Sequence, residues 1–392
     1  MTAATVSRWA RRYVLVSALF LLTWQTGIVV GVPRRTEVFL GLFGFVLHMA
    51  FGKAYSLVPS YFERTLAFPR APVVQFPLVV LGTGCLVGAS SQVGPSWLGT
   101  VGASLWSLGV GVFLGTLLWT VRTNLTGRET ATGEVNAERR PVDRVANGVV
   151  PIALLYLAVG TYETLAVYTG LPPLLDGYFP RVTHLIAAGT AGLLIFALGF
   201  RLLPRFLVAH PPRRLVVLVL ATGAVGPSLL AVYLWQGLWF QLGALLETVA
   251  VVGFALGYAL LFVRSDRRRV GFYGVFAGVL CGVVAVALGV GFAFGPSSAA
   301  SVLAHLRLNL LGFLGLSIVG IAYQFYPPAI GTLPGASDRT ALVSIAGLAG
   351  GLLVQVVGLV GQVPLATTLG QLATLGGAVL YLFLLAAVFH AR

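Results

Sequence analysis

Stretches of about 20 apolar residues follow one another along almost the whole chain, near 12–32, 37–58, 72–91, 98–121, 147–169, 181–203, 213–235, 237–263, 270–294, 299–325, 341–361 and 366–389. A run of that length crosses the ~30 Å hydrocarbon core of a bilayer as an α-helix. Inside lipid every backbone polar group must find its partner within the protein, which leaves helices or closed barrels as the only spanning structures. A barrel would show short segments of alternating polarity, and the chain has none. It therefore reads as an all-α integral membrane protein of about twelve transmembrane helices. Composition agrees: 58% of residues are hydrophobic, 9% are charged and the mean hydropathy is +0.94, against the ~25% charged residues of a soluble domain. The 49 glycines lie largely within the spans, where small residues let helices approach closely. They form no nucleotide-binding fingerprint.

A formal net charge of +14 invites a nucleic-acid partner, but the placement of the charges points to the lipid bilayer instead. With the N-terminus cytoplasmic, 21 of the 25 basic residues fall on the inner side, and only Arg34, Arg35, Arg181 and Arg307 fall outside. This asymmetry is the positive-inside pattern. It predicts a multi-pass protein of the cell membrane with both termini cytoplasmic, and no nucleic-acid partner. The first apolar run is long and leads straight into further spans, so no cleavable leader is expected. Cys85 and Cys281 stand in apolar helices without Cys-x-x-Cys spacing, as packing residues. The one sizeable polar segment, Arg122 to Asn147, with Glu129, Glu134, Glu138 and Asp143 beside five arginines, reads as a solvated cytoplasmic linker over 123–146. Together with the basic turn at 264–269 it divides a single membrane domain, 1–392, into repeat units near 1–122, 147–264 and 270–392.

The second helix of each unit carries a shared pattern. In the third unit His305 is followed by Arg307, Asn309, Gly312, Phe313, Gly315, Gly320, Tyr323 and Pro327. In the first, Glu37 is followed at matching offsets by Gly44, Phe45, Gly52, Tyr55 and Pro59, and in the second His184 leads to Gly199 and Pro204. The repeat is parallel and threefold, unlike the inverted repeats of many transporters. A histidine at the mouth of a hydrophobic helix needs a partner, and a metal is one candidate. His48 lies ~16 Å deeper than Glu37 at 1.5 Å per residue and reads as an interior histidine, while His210 and His390, at helix ends, read as solvent-facing. Glu163 on the fifth helix and Glu247 on the eighth sit inside apolar runs and are candidate proton or cation sites. Gln241 and Thr248 share the eighth helix with Glu247.

At these residues the chain resembles the haem-copper oxidase catalytic subunit, above all the cbb-type cytochrome c oxidases and, more distantly, the nitric oxide reductases. That family arranges twelve helices in three pseudo-symmetric arcs of four. Its tenth-helix pattern is matched by His305, Gly312, Phe313, Gly315, Gly320, Tyr323 and Pro327. Its sixth helix is matched by His184 and Pro204-Arg205, and a Gly-Pro of its seventh by Gly226-Pro227. The NnrS-type membrane haem proteins are similar in overall plan.

The resemblance is degenerate. Where the family places two adjacent copper-ligand histidines this chain has Ser228 and Leu229, so copper is not expected, since His184 alone cannot make a trigonal imidazole site. A family tyrosine would fall at Thr222. The low-spin haem ligands become Glu37 and Arg307, an acid and a base that are expected to pair, because an unpaired charge at membrane depth is costly. In a rival arrangement Arg307, with Arg35 and Arg181 near the same surface, binds haem propionates bidentately; interfacial snorkelling is the ordinary role for Arg35 and Arg181. The resemblance then implies one b-type haem between His305 and His184, with His184 as a sixth ligand or a distal hydrogen-bond donor. Such a protein would act in nitric oxide or oxygen response, electron transfer or haem handling, with a redox partner protein as electron donor. Covalent haem attachment is excluded, because no Cys-x-x-Cys-His occurs. A terminal oxidase or a proton pump is not expected, since no chain of polar residues at helical spacing crosses the membrane. The alternative is a cofactor-free membrane protein or small-ligand transporter on the same scaffold, with both histidines hydrogen-bonded to neighbours such as Asn309, Tyr162 or Glu163. A haem would need a cavity lined by small residues around His184, namely Ala187, Ala188 and Gly189.

Overall fold

The computed structural model describes residues 2–391, with side chains from residue 5 onward. Among the described residues there is no strand, and twelve helices are long and apolar enough to cross a membrane: α1 (Thr5–Val30), α2 (Arg34–Tyr61), α3 (Ala71–Ser90), α4 (Trp97–Val121), α5 (Glu134–Thr169), α6 (Phe179–Leu207), α7 (Arg213–Val232), α8 (Gly237–Arg264), α9 (Val270–Phe294), α10 (Ala299–Phe325), α11 (Asp338–Val360) and α12 (Pro364–His390). An even number of crossings puts both chain ends on one side, the terminal face.

Three helices form the interior. The central windows of α2, α6 and α10 are 89%, 78% and 72% buried, whereas the other nine range from 28% to 50%. Each of the three opens, after a short α-helical start of 5, 6 and 9 residues, into a π-helix, over Phe39–Val46, Leu185–Gly192 and Leu308–Leu316, before returning to α geometry. The three π segments touch one another at the centre of the bundle. A wide turn misaligns the i→i+4 ladder, and neighbouring side chains take up carbonyls there. Ser17 Oγ donates to Phe45 O (2.8 Å), His48 Nδ1 to Phe43 O (2.8 Å) and Thr190 Oγ1 to Leu185 O (3.3 Å).

The outer helices pair as hairpins held by absent side chains. A Cβ on Gly82 of α3 would stand 2.6 Å from Trp106 N of α4, and one on Gly370 of α12 would stand 2.5 Å from Gln355 N of α11. Between α9 and α10 the backbones meet at Gly271 and Gly320, where a Cβ on either would come within 2.4 Å of the other's carbonyl oxygen. In lipid, where apolar contact alone does not favour association, this closeness supplies the dispersion contact that holds helices together. α12 packs on α1, so the last helix returns to the first.

Most residues over 123–136 are exposed, as expected of a solvated linker, but the end of the expected 123–146 linker is helical and partly buried. α5 begins with a 3-10 turn at Glu134–Arg139 and is α-helical from Arg140. Asp143, 1% exposed, accepts Arg205 Nη2 at 2.6 Å and Thr132 Oγ1 at 2.6 Å, and pairs with Arg201 Nε at 3.3 Å. Arg201 also donates to Thr130 O (2.7 Å) and Tyr61 O (2.9 Å), and its guanidinium lies 4.0 Å over the Tyr61 ring. The buried Asp143–Arg201 pair pins the end of the connection to α2, α5 and α6, while Glu129, Glu134 and Glu138 remain exposed.

Candidate functional site

At the face opposite the chain ends, α6, α7, α8, α9 and α10 and the first turn of α2 enclose a cavity of about 350 Å³, within the ~300–1,000 Å³ of small-molecule sites. Its mouth carries Arg34, Arg35, Tyr178 and Trp235, all exposed. Its walls are mostly apolar, with Phe240, Phe292 and Phe313 among them. The polar groups below the mouth are few: His184, His305, Asn309 and Glu247, with Thr183 beside them.

Both histidines are oriented by main-chain carbonyls. α6 starts with Phe179-Pro180, a proline suited to a first helical turn because its missing amide would be unpaired there, and the Pro180 carbonyl lies 2.8 Å from His184 Nδ1. α10 starts from a capping box between Ser298 and Ser301, and two turns on, His305 Nδ1 lies 2.8 Å from Ala285 O of α9. A carbonyl only accepts, so each Nδ1 carries the hydrogen and each Nε2 presents a lone pair. His184 Nε2 has no hydrogen-bond partner among the described residues. His305 Nε2 meets Asn309 Nδ2 at 3.2 Å, while the same amide nitrogen holds His305 O at 2.8 Å. The two imidazoles line the same cavity, and a Cβ on Gly289 would stand 3.2 Å from His305 Cε1, so a bare backbone gives the ring its room. Ala187 and Ala188 line the cavity, as expected for space beside His184. Gly189 does not: it faces the Tyr156 ring, which a Cβ there would meet at 2.5 Å.

The arginines divide differently from a propionate set. Arg307 is committed to Glu37 and Gln355 and does not line the cavity. Arg181 donates to Ala231 O (2.6 Å) and Val232 O and pairs with Asp176 (3.0 Å), which satisfies the carbonyl end of α7. Only Arg35 of the three is at the mouth, its guanidinium 4.7 Å over the Phe179 ring. Arg34 beside it is a lining residue that sequence reasoning counted only as an outer charge; its adjacency to Arg35 is the signal that was there.

Glu163 anchors a loop through one carboxylate oxygen, while its Oε2 is buried without a hydrogen bond. Its Oε1 accepts from the amides of Leu174 (2.6 Å) and Leu175 (3.0 Å), tying the α5–α6 connection to α5. Tyr162 donates to Pro172 O of the same connection, so neither residue partners a histidine. Glu247 is different. It is 8% exposed, lines the cavity and accepts no hydrogen bond from any described residue; Oε2 is sealed against Gly226, where a Cβ would stand 2.9 Å from it. Gln241 and Thr248 bond to Ala293 O and Ala244 O, away from it. Ser228, Leu229 and Thr222 do not line the cavity. His48 is enclosed by Phe20, Phe51 and Trp106, His210 is exposed beside Glu138, and His390 is exposed.

Among the described residues no three His, Cys, Asp or Glu side chains gather as a metal-binding group. An iron already held by a porphyrin asks for only one or two protein ligands. Compared with known protein families and with curated proteins, the chain matches no family model and no curated sequence.

Proposed function

We propose that this multi-pass protein is a membrane haem protein in which His305 and His184 hold one b-type haem in the cavity. The observation that carries the proposal is the pair of imidazoles that line one cavity with their Nδ1–H groups fixed by Ala285 O and Pro180 O, which leaves each Nε2 as the acceptor nitrogen. A carbonyl on the far nitrogen orients a ligand histidine and raises its basicity. Because His184 Nδ1 is the donor, its Nε2 suits a ligand role and not that of a distal hydrogen-bond donor. Arg34 and Arg35 at the mouth suit the acidic edge of such a group. When bound, the iron would supply one-electron redox change and, if one of the two histidines were displaced, affinity for a diatomic gas. The chain's own residues orient the ligands, exclude water through the Phe240, Phe292 and Phe313 walls and place the basic groups Arg34 and Arg35 at the rim. Roles in nitric oxide or oxygen response, electron transfer with a partner protein, or haem handling follow from that chemistry. The basic residues crowd the terminal face, which supports cytoplasmic termini in a cell membrane.

The test is the optical spectrum of the purified protein, oxidised and dithionite-reduced, beside His305→Ala and His184→Ala. A Soret band with sharp reduced b-type peaks that is lost in His305→Ala, and a change of coordination in His184→Ala, are the expected results. No haem signal after reconstitution overturns the proposal.

A second reading, a cofactor-free protein that binds or moves a small ligand, is favoured by one observation: the unpartnered Glu247 carboxylate in the same cavity.

A further inference from the structure

We infer that the floor of the cavity is a binding site for a primary ammonium group on an apolar body, with Glu247 as its counter-ion. A carboxylate taken out of water and given neither a donor nor a countercharge is costly, so the group either takes a proton or is completed by the positive charge of a ligand. Glu247 meets that description: it is more than nine-tenths buried, no described residue donates to it, and it lines the cavity. The neighbouring Tyr156 hydroxyl gives its proton to Ala224 O instead (2.7 Å). No chain cation pairs with Glu247 among the described residues, and the arginines that line the cavity, Arg34 and Arg35, are exposed. Glu247 lies ten residues into α8, ~15 Å below that helix's outer end at 1.5 Å per residue.

The class of cation follows from the other groups in the cavity. Besides Glu247, the groups with unused acceptor capacity are His184 Nε2 and the Asn309 side-chain oxygen, whose amide nitrogen is already engaged with His305. Acceptors thus outnumber donors below the mouth, and a primary ammonium brings three donors with its charge. The rings of Phe240, Phe292 and Phe313 offer faces that attract an organic cation. A bare Ca²⁺ or Mg²⁺ would demand six or more oxygen ligands, and no cluster of three metal-binding side chains exists among the described residues. The apolar walls instead suit a ligand that brings its own hydrocarbon. The site goes beyond the haem proposal and does not depend on it: the charge comes from the acid at the floor, and the open acceptors and aromatic walls set the ligand class.

The test is titration calorimetry of haem-free protein in lipid nanodiscs with phenethylammonium and, as its uncharged counterpart, 2-phenylethanol. The expected result is amine binding at least tenfold tighter than alcohol binding, a preference erased in Glu247→Gln. Equal binding of the two, or a preference that survives in Glu247→Gln, overturns the inference. Should Glu247→Gln fail to fold, Ala188→Phe fills the cavity while keeping the acid, and amine binding must then fall at least tenfold; undiminished binding again overturns it. Heat of amine binding and the Soret band are separate signals. A protein that shows no haem yet prefers the amine keeps this site and loses the other proposal, and the converse result does the reverse.

Discussion

Glu37 and Arg307, 270 positions apart in sequence, form a two-pronged ion pair inside the bundle: Arg307 Nη2 lies 2.7 Å from Glu37 Oε1 and Nε lies 3.1 Å from Oε2. Both residues are at most 5% exposed, and the remaining Nη1 donates to Gln355 Oε1 at 2.8 Å. The pair ties α2 to α10 and, through Gln355, to α11. Removing one partner leaves a buried charge without compensation, which costs about 3–5 kcal/mol, whereas replacing both by apolar residues of similar volume is often near neutral. Glu37→Leu and Arg307→Met are therefore expected to lower the unfolding midpoint in detergent steeply as single variants, and the double variant to recover most of it. Additive losses in the double variant would contradict the pairing.

Asp143 is the hub of the terminal-face network, and its partners differ in burial. Arg201 is 3% exposed, while the Arg205 side chain is 31% exposed. Asp143→Ala strands the buried guanidinium and is expected to cost about 3–5 kcal/mol. Arg205→Ala removes a half-solvated contact worth about 1 kcal/mol or less. Denaturant titration ranks the two, and an Arg205 variant as damaging as the Asp143 variant would refute the assignment.

Asn309 competes for the lone pair that the haem proposal needs. Its amide sits 3.2 Å from His305 Nε2, and a hydrogen bond of this kind is worth about 1 kcal/mol net, or about fivefold in an equilibrium constant. Asn309→Leu should tighten haem binding by about that factor in a spectral titration. Unchanged or weaker binding would count against His305 as the ligand.

At the surface, Arg64 donates to Glu129, an ion pair between the α2–α3 connection and the segment before α5. The hydrogen bond from Arg64, more than the charge alone, holds the Glu129 carboxyl below its ordinary value of 4.5. A carboxyl depressed in the folded state contributes stability above its unfolded value, and that contribution is lost as pH falls below about 4.5 through the folded value. Hydrogen exchange in residues 122–133 should therefore rise on acidification in the wild type relative to Glu129→Gln, which lacks the titrating group. Parallel profiles for the two proteins would exclude the pair as the cause.

Much of the scaffold is legible in the sequence, because lipid imposes a run length that hydropathy reports directly. The runs at 270–294 and 299–325 coincide with α9 and α10. The cost of an isolated charge in lipid also makes Glu37 and Arg307 candidates for one another. What escapes are relations between distant residues. Nothing near Glu163 reveals that the amides of Leu174 and Leu175 return to it, and nothing near Asp143 reveals that Arg201 and Arg205 will cover it. Composition alone assigns the first to the membrane and the second to water. Gly189 was equally opaque, since periodicity does not say whether a small residue faces a cavity or the Tyr156 ring. The π segments leave no trace in hydropathy either, because they alter the backbone ladder and not the polarity of any residue.

Those π segments separate the two ends of each inner helix as independent problems of angular alignment. An α-helix advances about 100° per residue, so a π-bulge, which adds a residue to a turn, rotates everything beyond it by about that angle relative to an uninterrupted helix. In α6 the bulge at Leu185–Gly192 falls between His184 and the Arg201–Pro204 end. The histidine can thus be aimed into the cavity while Arg201 is aimed at Asp143, a combination that a regular helix with the same sequence would not provide. Deleting one residue there would leave hydropathy and span length almost unchanged, yet swing one of these two side chains away from its neighbours by more than a quarter of a turn.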